Sequence, residues 1–365
     1  MEPTFPDVPP GAEVPDDFIR DVMRWHFDPS TGSPFWLKRA GSLGFDPLTD
    51  ITSWADLARF PDVGEEWRDV PAADLVPAGS LAADGRHGFR VFDSGGTTGR
   101  PKRIIDGTSR VAGVTWTSSV LAQHGLPGTG AGDWLHLGPT GPHIVGRSVG
   151  LLAELRQSLC HYIDFDPRWV KRSLAAGRTE EAKRYLDHVL DQASDVLSSQ
   201  PVTVVFATPP VLEAVASRPR LLELFQERVR GIIWAGTSVG AETLRLLDEE
   251  VFPDARLVGL YGNTMMGIAP QRPPRSGDTE SCVFVPHHPG TRAEVVDPEH
   301  PDRLVGYGER GQVRITVLSK DLLVPRSLER DRAVRIAPNE EYPWDAVAGV
   351  GPLATGGAAP IEGVY

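Results

Sequence analysis

Phe92-Asp93-Ser94-Gly95-Gly96-Thr97-Thr98-Gly99-Arg100-Pro101-Lys102 is the stretch from which the rest of the chain can be read. Residues 88–92 read as a strand that empties into consecutive small residues, whose backbone amides can point into one cavity. The hydroxyls of Ser94, Thr97 and Thr98 lie beside those amides, and Arg100 and Lys102 add positive charge. A nest of this kind suits a polyphosphate. It is not a Walker loop: the Gly-Lys-Ser/Thr ending is missing, and Pro101 blocks a direct helix start. By composition alone the cluster would serve as an ordinary flexible turn, so the order of the residues carries the functional reading.

Downstream of the loop, residues 108–124 read as a helix rich in Val, Trp and Leu. The clearest rhythm follows Thr179, read as a helix cap. Ala182, Tyr185, Leu186, Val189, Leu190, Ala193, Val196 and Leu197 make the apolar stripe of an amphipathic helix. Residues 202–206 are a continuous apolar, β-branched run. Two helical pieces follow, parted near Pro219, then strands at 231–235 and 256–261 with a helix at about 240–250 between them. Apolar strands separated by helices imply an α/β core of parallel strands covered on both faces. Beyond 275 the pattern turns to strand and turn. Gln312-Val313-Arg314-Ile315-Thr316-Val317 alternates polar with apolar and implies a smaller antiparallel sheet.

Upstream, residues 1–20 are Pro- and Asp-rich and read as a loosely held arm. Short helical patterns between Pro and Gly breaks fill 21–80, one of them capped by Ser53 and stopped by Pro61. The expected organisation is the arm over 1–20, a core domain over 21–340 with its late β subdomain at about 275–340, and a Gly/Pro-rich tail over 341–365. A chain of 365 residues buries a large core easily. Its net charge of −12 argues against nucleic acid or an anionic membrane as the main partner. Cys160 and Cys282 make neither a disulfide framework nor a Cys-rich zinc site. With no signal peptide or membrane span visible, a cytoplasmic location is expected.

The loop Ser94-Gly95-Gly96-Thr97-Thr98-Gly99-Arg100-Pro101-Lys102 resembles the phosphate loop of adenylate-forming enzymes. Three further stretches match in the correct order. Trp234-Ala235-Gly236-Thr237-Ser238 resembles the strand-end segment beside the adenine. Tyr261-Gly262-Asn263-Thr264 resembles the Tyr-Gly-x-Thr/Ser-Glu motif. Glu309 to Thr316 resembles the Gly-Glu-hydrophobic strand, after which Arg326 and Asp331 fit the Arg…Asp pair at the ribose. Pro34-Phe35-Trp36 through Asp56-Leu57 is similar to the start of phenylacetate–CoA ligase-like members. The resemblance covers about 30–335.

Several roles follow from the resemblance. Ser94, Gly95, Gly96, Thr97, Thr98, Gly99 and Lys102 would hold the phosphates of ATP. Gly236, Thr237, Tyr261 and Gly262 would line the adenine, Thr264 would sit near the α-phosphate, and Asp331 would accept from the ribose hydroxyls. His143, Trp234, Ala235 and Gly259 would border the acid pocket. The implied chemistry is attack of a carboxylate on the α-phosphate, giving an acyl-adenylate and pyrophosphate, with an aryl acid favoured. The acyl group would pass to a thiol of a carrier protein or CoA. Lys102, Thr264 and His143 would act at the reacting atoms. Mg²⁺ would be held mainly through the ATP phosphates, because Met265 stands where the family motif has a metal-binding Glu, and a thioether is a poor ligand for that ion. Only 34 residues follow Asp331, so the chain resembles relatives without the carboxy-terminal lid and its lysine.

Two other readings stay open. Met265 suits a non-catalytic nucleotide- or acyl-binding protein. Gly146-Arg147-Ser148-Val149-Gly150 fits the Gly-x-Ser-x-Gly elbow of a serine hydrolase, though no His-Gly-Gly oxyanion loop accompanies it. His161 and the His287-His288 pair lack a credible metal ligand set and read as surface or hydrogen-bonded residues.

Overall fold

The computed structural model describes residues 3–8, 12–82, 88–94 and 100–353. By internal packing the chain divides into two compact units. The first comprises Met1–Gly113, Asn263–Gly267 and Val285–Ala348; the second comprises Val114–Gly262, Ile268–Phe284 and Gly349–Tyr365.

Along the chain, α1 (Phe18–Phe27), α2 (Pro34–Ala40) and α3 (Pro47–Asp50) precede β1 (Arg90–Asp93), β2 (Arg103–Asp106) and α4 (Arg110–Gln123). Strands and helices then alternate: β3 (Asp133–Gly138), α5 (Ile144–Leu155), β4 (Cys160–Asp164), α6 (Pro167–Ala175), α7 (Thr179–Ser199) and β5 (Val202–Ala207). They continue through α8 (Pro209–Ala216), α9 (Pro219–Arg228), β6 (Gly231–Trp234), α10 (Ala241–Leu246) and β7 (Arg256–Asn263). Six strands follow: β8 (Gly267–Pro270), β9 (Val283–Phe284), β10 (Thr291–Val296), β11 (Arg310–Leu318), β12 (Leu323–Ile336) and β13 (Ala346–Pro352). Proline opens α2, α3, α6, α8 and α9, where its missing N–H costs no hydrogen bond. Ser33, Asp46 and Asp166 cap three of these helices by accepting first-turn N–H groups.

The second unit is built on a sheet of order β4-β3-β5-β6-β7-β8, parallel from β4 through β7. Trp134, Val204, Phe206, Ile233 and Val258 on one face pack with Val149, Leu152 and Ala153 of α5 and with Val114 and Leu121 of α4. The chain goes from β3 to β4 on one side and later returns to β5 on the other. Connections that part in opposite directions leave a crevice outside the carboxyl ends of the two neighbouring strands.

In the first unit β10, β11, β12 and β13 are neighbours in that order, antiparallel across the β10–β11 and β11–β12 pairs. β1 and β2 pair antiparallel, with Phe92 opposite Ile104 and Asp93 opposite Arg103. An aromatic core of Phe27, Trp36 and Phe60 lies beneath α1 and α2. Helix α1 is tied down by Trp25, whose indole donates to Lys320 O at 2.9 Å, and by His26, whose Nε2 lies 2.8 Å from Ser319 O.

Several expectations need correction. Residues 21–340, expected as one core domain with a late β subdomain, contribute to both compact units. The tail over 341–365 holds a strand at Ala346–Pro352, because Tyr342, Trp344, Ala346, Val347 and Ala348 are buried. The arm over 1–20 already contains the start of α1. Thr179 is the first helical residue rather than the cap, and Asp56, not Ser53, gathers the N–H groups of Thr52 and Ser53.

Candidate active site

In the first unit the ends of the quoted loop are closed by two hydrogen bonds: Ser94 N donates to Lys102 O and Lys102 N donates to Ser94 Oγ, both at 2.9 Å. Antiparallel pairing of β1 with β2 holds these ends side by side. Gly95, Gly96, Thr97, Thr98 and Gly99 lie outside the described residues. Thr264, buried, donates from Oγ1 to Asp93 O at 3.1 Å. That bond ties Thr264 to the strand that leads into the loop, although 171 residues part the two. The Asn263 side chain fixes the turn, accepting the N–H groups of Met265 and Met266 at 2.9 and 2.8 Å. Its Nδ2 is buried without a partner.

Lys102 is buried, and its Nζ sits 3.1 Å from Glu65 Oε1. Arg68 holds the other Glu65 oxygen at 2.6 Å and also donates to the carbonyl of Arg100, while Asp69 takes the Arg100 guanidinium at 2.8 Å. The Arg68 hydrogen bond, with help from Lys102, holds the Glu65 carboxyl down at about 2. Glu329 on β12 lies near the same lysine. Burial pushes its carboxyl up to about 8, Asp331 and Asp62 add to the rise, and Lys102 opposes it. Burial thus favours the neutral form of Glu329, whereas Arg68 and Lys102 favour the ionised form of Glu65. Asp62 is engaged by two backbone amides, those of Gly64 and Leu328. Asp331 is half-buried on the same strand, and Arg326 pairs with Asp302 at 2.9 Å.

The second unit gathers the other candidates at the carboxyl ends of its parallel strands. His143, buried, immediately precedes α5 in the connection after β3. On β3, His136 stacks on Phe206 at 4.9 Å and keeps its Nε2 3.0 Å from Pro139 O, and burial holds its imidazole down at about 4. Trp234 ends β6 and lies in register with Gly259 of β7. A Cβ at Gly259 would come within 2.7 Å of the Trp234 indole, so glycine makes room for that ring. Trp234 and Tyr261 both pack on Phe284, at 6.5 and 5.9 Å. Half-buried Ala235 leads into Gly236, which has φ +91°, a conformation that favours glycine. Thr237 follows with its Oγ1 buried and unpartnered, and Gly262 is half-buried after Tyr261.

Ser148 is no nucleophile elbow. It sits inside α5, is buried, and its Oγ donates to Ile144 O at 3.2 Å. A nucleophile elbow needs a sharp strand-to-helix turn at the serine. Five residues separate β3 from α5. Among the described residues no group of three or more His, Cys, Asp or Glu side chains could hold a metal, and Met265 is buried as an apolar residue. No described helix is long and apolar enough to cross a membrane.

No protein-family model and no curated protein sequence matches this chain. Solved structures do match. A 2-hydroxyisobutyryl-CoA ligase in complex with 2-HIB-AMP and CoA, in its thioesterification state, superposes with a TM-score of 0.64 at 16% identity, covering 92% of this chain and 66% of that one. An open conformation of that ligase with the same two ligands gives a TM-score of 0.66 at 15% identity, covering 92% and 70%. The chain has the adenylate-forming fold. The α/β core with a mainly parallel sheet, flanking helices and late strands expected for this fold is borne out. The chain spans about two thirds of the length of these ligases.

The carboxylates around Lys102 escape a reading of the sequence. Glu65, Asp62 and Glu329 belong to no short motif, and only the tertiary fold brings them to residue 102.

Proposed function

We propose that this protein activates a carboxylic acid with ATP as an acyl-adenylate and passes the acyl group to a thiol of a carrier protein or CoA. One observation supports this reading above the others. The hydrogen bond from Thr264 to Asp93 O joins two stretches that were separately matched to the α-phosphate and to the phosphate loop. In this reading Ser94, Lys102 and the 95–99 residues take the phosphates, Thr264 the α-phosphate, and Asp331 the ribose. Gly236, Thr237, Tyr261 and Gly262 take the adenine.

A carboxylate oxygen of the acid attacks the α-phosphorus, and pyrophosphate leaves with the electrons of the broken P–O bond. The thiol sulfur then attacks the acyl carbonyl and AMP departs. The lysine ammonium and threonine hydroxyl stabilise charge that grows on the phosphoryl oxygens. His143, Trp234, Ala235 and Gly259 border the acid, and the aromatic character of this set favours an aryl acid.

ATP–pyrophosphate exchange across a panel of aryl and fatty acids tests the proposal. Exchange with at least one acid, lost in Lys102→Ala, is the expected result. Buried Met265 favours a second reading, a nucleotide-binding protein without ligase activity. ATP binding with no exchange for any acid would select it.

A further inference from the structure

Lys102 and Glu65 form an unequal ion pair. The lysine side chain is 9% exposed and cannot leave its place without opening the fold around it, whereas the Glu65 side chain is 69% exposed. A buried ammonium needs a counter-charge, since an unpaired one is costly. Among the other carboxyls near this cluster, burial favours the neutral form of Glu329 and two backbone amides engage Asp62. Glu65 supplies the negative charge at contact distance, and it has somewhere to go. Arg68 already holds its second oxygen at 2.6 Å and is itself anchored on the Arg100 carbonyl. A buried cation, an exposed anion and a second cation already bonded to that anion are the parts of an exchange site.

We propose that Glu65 is a built-in stand-in for the anionic ligand of Lys102: it occupies the ammonium in the free protein and is displaced onto Arg68 when a polyphosphate binds. The inference rests on the nucleotide reading and deepens it, for it makes the turn around residues 65–69 a competitor that sets polyphosphate affinity. In the exchange the Lys102–Glu65 contact breaks, a Lys102–phosphate contact forms, and Glu65 keeps Arg68. No charge is left buried alone at any point.

Titration calorimetry with inorganic pyrophosphate, without added metal, tests the proposal on the full chain. Glu65→Gln removes the competing charge from an exposed side chain. It is expected to tighten pyrophosphate binding about fivefold, the equivalent of roughly 1 kcal/mol. Glu65→Asp keeps the charge but shortens its reach and should fall between wild type and Glu65→Gln. Lys102→Gln should abolish binding in either background. If Lys102→Gln abolishes binding while Glu65→Gln leaves it equal or weaker, the displacement idea is wrong and the nucleotide reading stands. If pyrophosphate binding is absent from wild type and Glu65→Gln alike, or ignores Lys102→Gln, both fall together.

Discussion

Lowering the pH should unseat α1 through His26, by an amount that follows from its surroundings. His26 is fully buried, its Nε2 meets Ser319 O at 2.8 Å, and its Nδ1 is buried without a partner. A proton added to Nδ1 would carry a charged N–H into a place with no acceptor. Burial accordingly holds the imidazole at about 4, against an unfolded value of 6.5. Because the folded value is the lower one, the unfolded chain binds the extra proton. Stability is full above about pH 6.5 and is lost as pH falls toward 4. Two and a half pH units at about 1.4 kcal/mol each give a loss on the order of 3 kcal/mol from this residue alone. His26→Gln keeps a donor for Ser319 O and removes the titration. Urea unfolding of both proteins at steps between pH 7 and pH 4 gives their difference in stability, from which the other titrating groups cancel. The difference should move by about 3 kcal/mol in favour of the variant as pH falls. Parallel curves over the whole range would refute the reasoning.

Gly259→Ala should destabilise the second unit by about 1–3 kcal/mol, because its Cβ meets the Trp234 indole, and the change should appear as a shift in Trp fluorescence and melting temperature. Ser148→Ala should leave every catalytic activity intact, and a fluorophosphonate probe should not label Ser148 in the native protein, since its hydroxyl is spent on Ile144 O. Burial pushes the thiols of Cys160 and Cys282 up to about 11, so iodoacetamide at pH 8 should modify both far more slowly in native protein than in urea.

Much of the second unit was legible in the chain because its signals are local. The stripe from Ala182 to Leu197 and the run at Val202–Ala207 need only periodicity, and prolines at 209 and 219 mark helix starts as well as breaks. The division into two units was not legible, because it depends on residues 285–348 packing with residues 1–113, more than a hundred residues earlier. Glycine counting obscured β13, where buried Val347 and its alanine neighbours outweigh Gly349 and Gly351. The Gly-x-Ser-x-Gly pattern misled for a geometric reason. In α5 the two glycines serve close packing, as at Gly150, where a Cβ would strike the Tyr162 hydroxyl. Lys102 was legible as a cation, but the carboxylates gathered about it were not.

The antiparallel pairing of β1 with β2 has a consequence for how the Ser94–Lys102 loop attracts anions. Where a phosphate-binding loop runs from a strand straight into a helix, the first turn lends a bundle of aligned amide dipoles, a diffuse half-charge that no single substitution removes. Here the chain leaves the loop through Pro101 and Lys102 into another strand, so that reserve is not supplied by a following helix. More of the attraction at a distance then falls to discrete charges such as Lys102 and Arg100, which ionic strength shields within about 8–10 Å in ordinary buffers. Capture of an anion at this hairpin should therefore weaken with added salt more than it would at a helix terminus, and its strength is open to adjustment one side chain at a time.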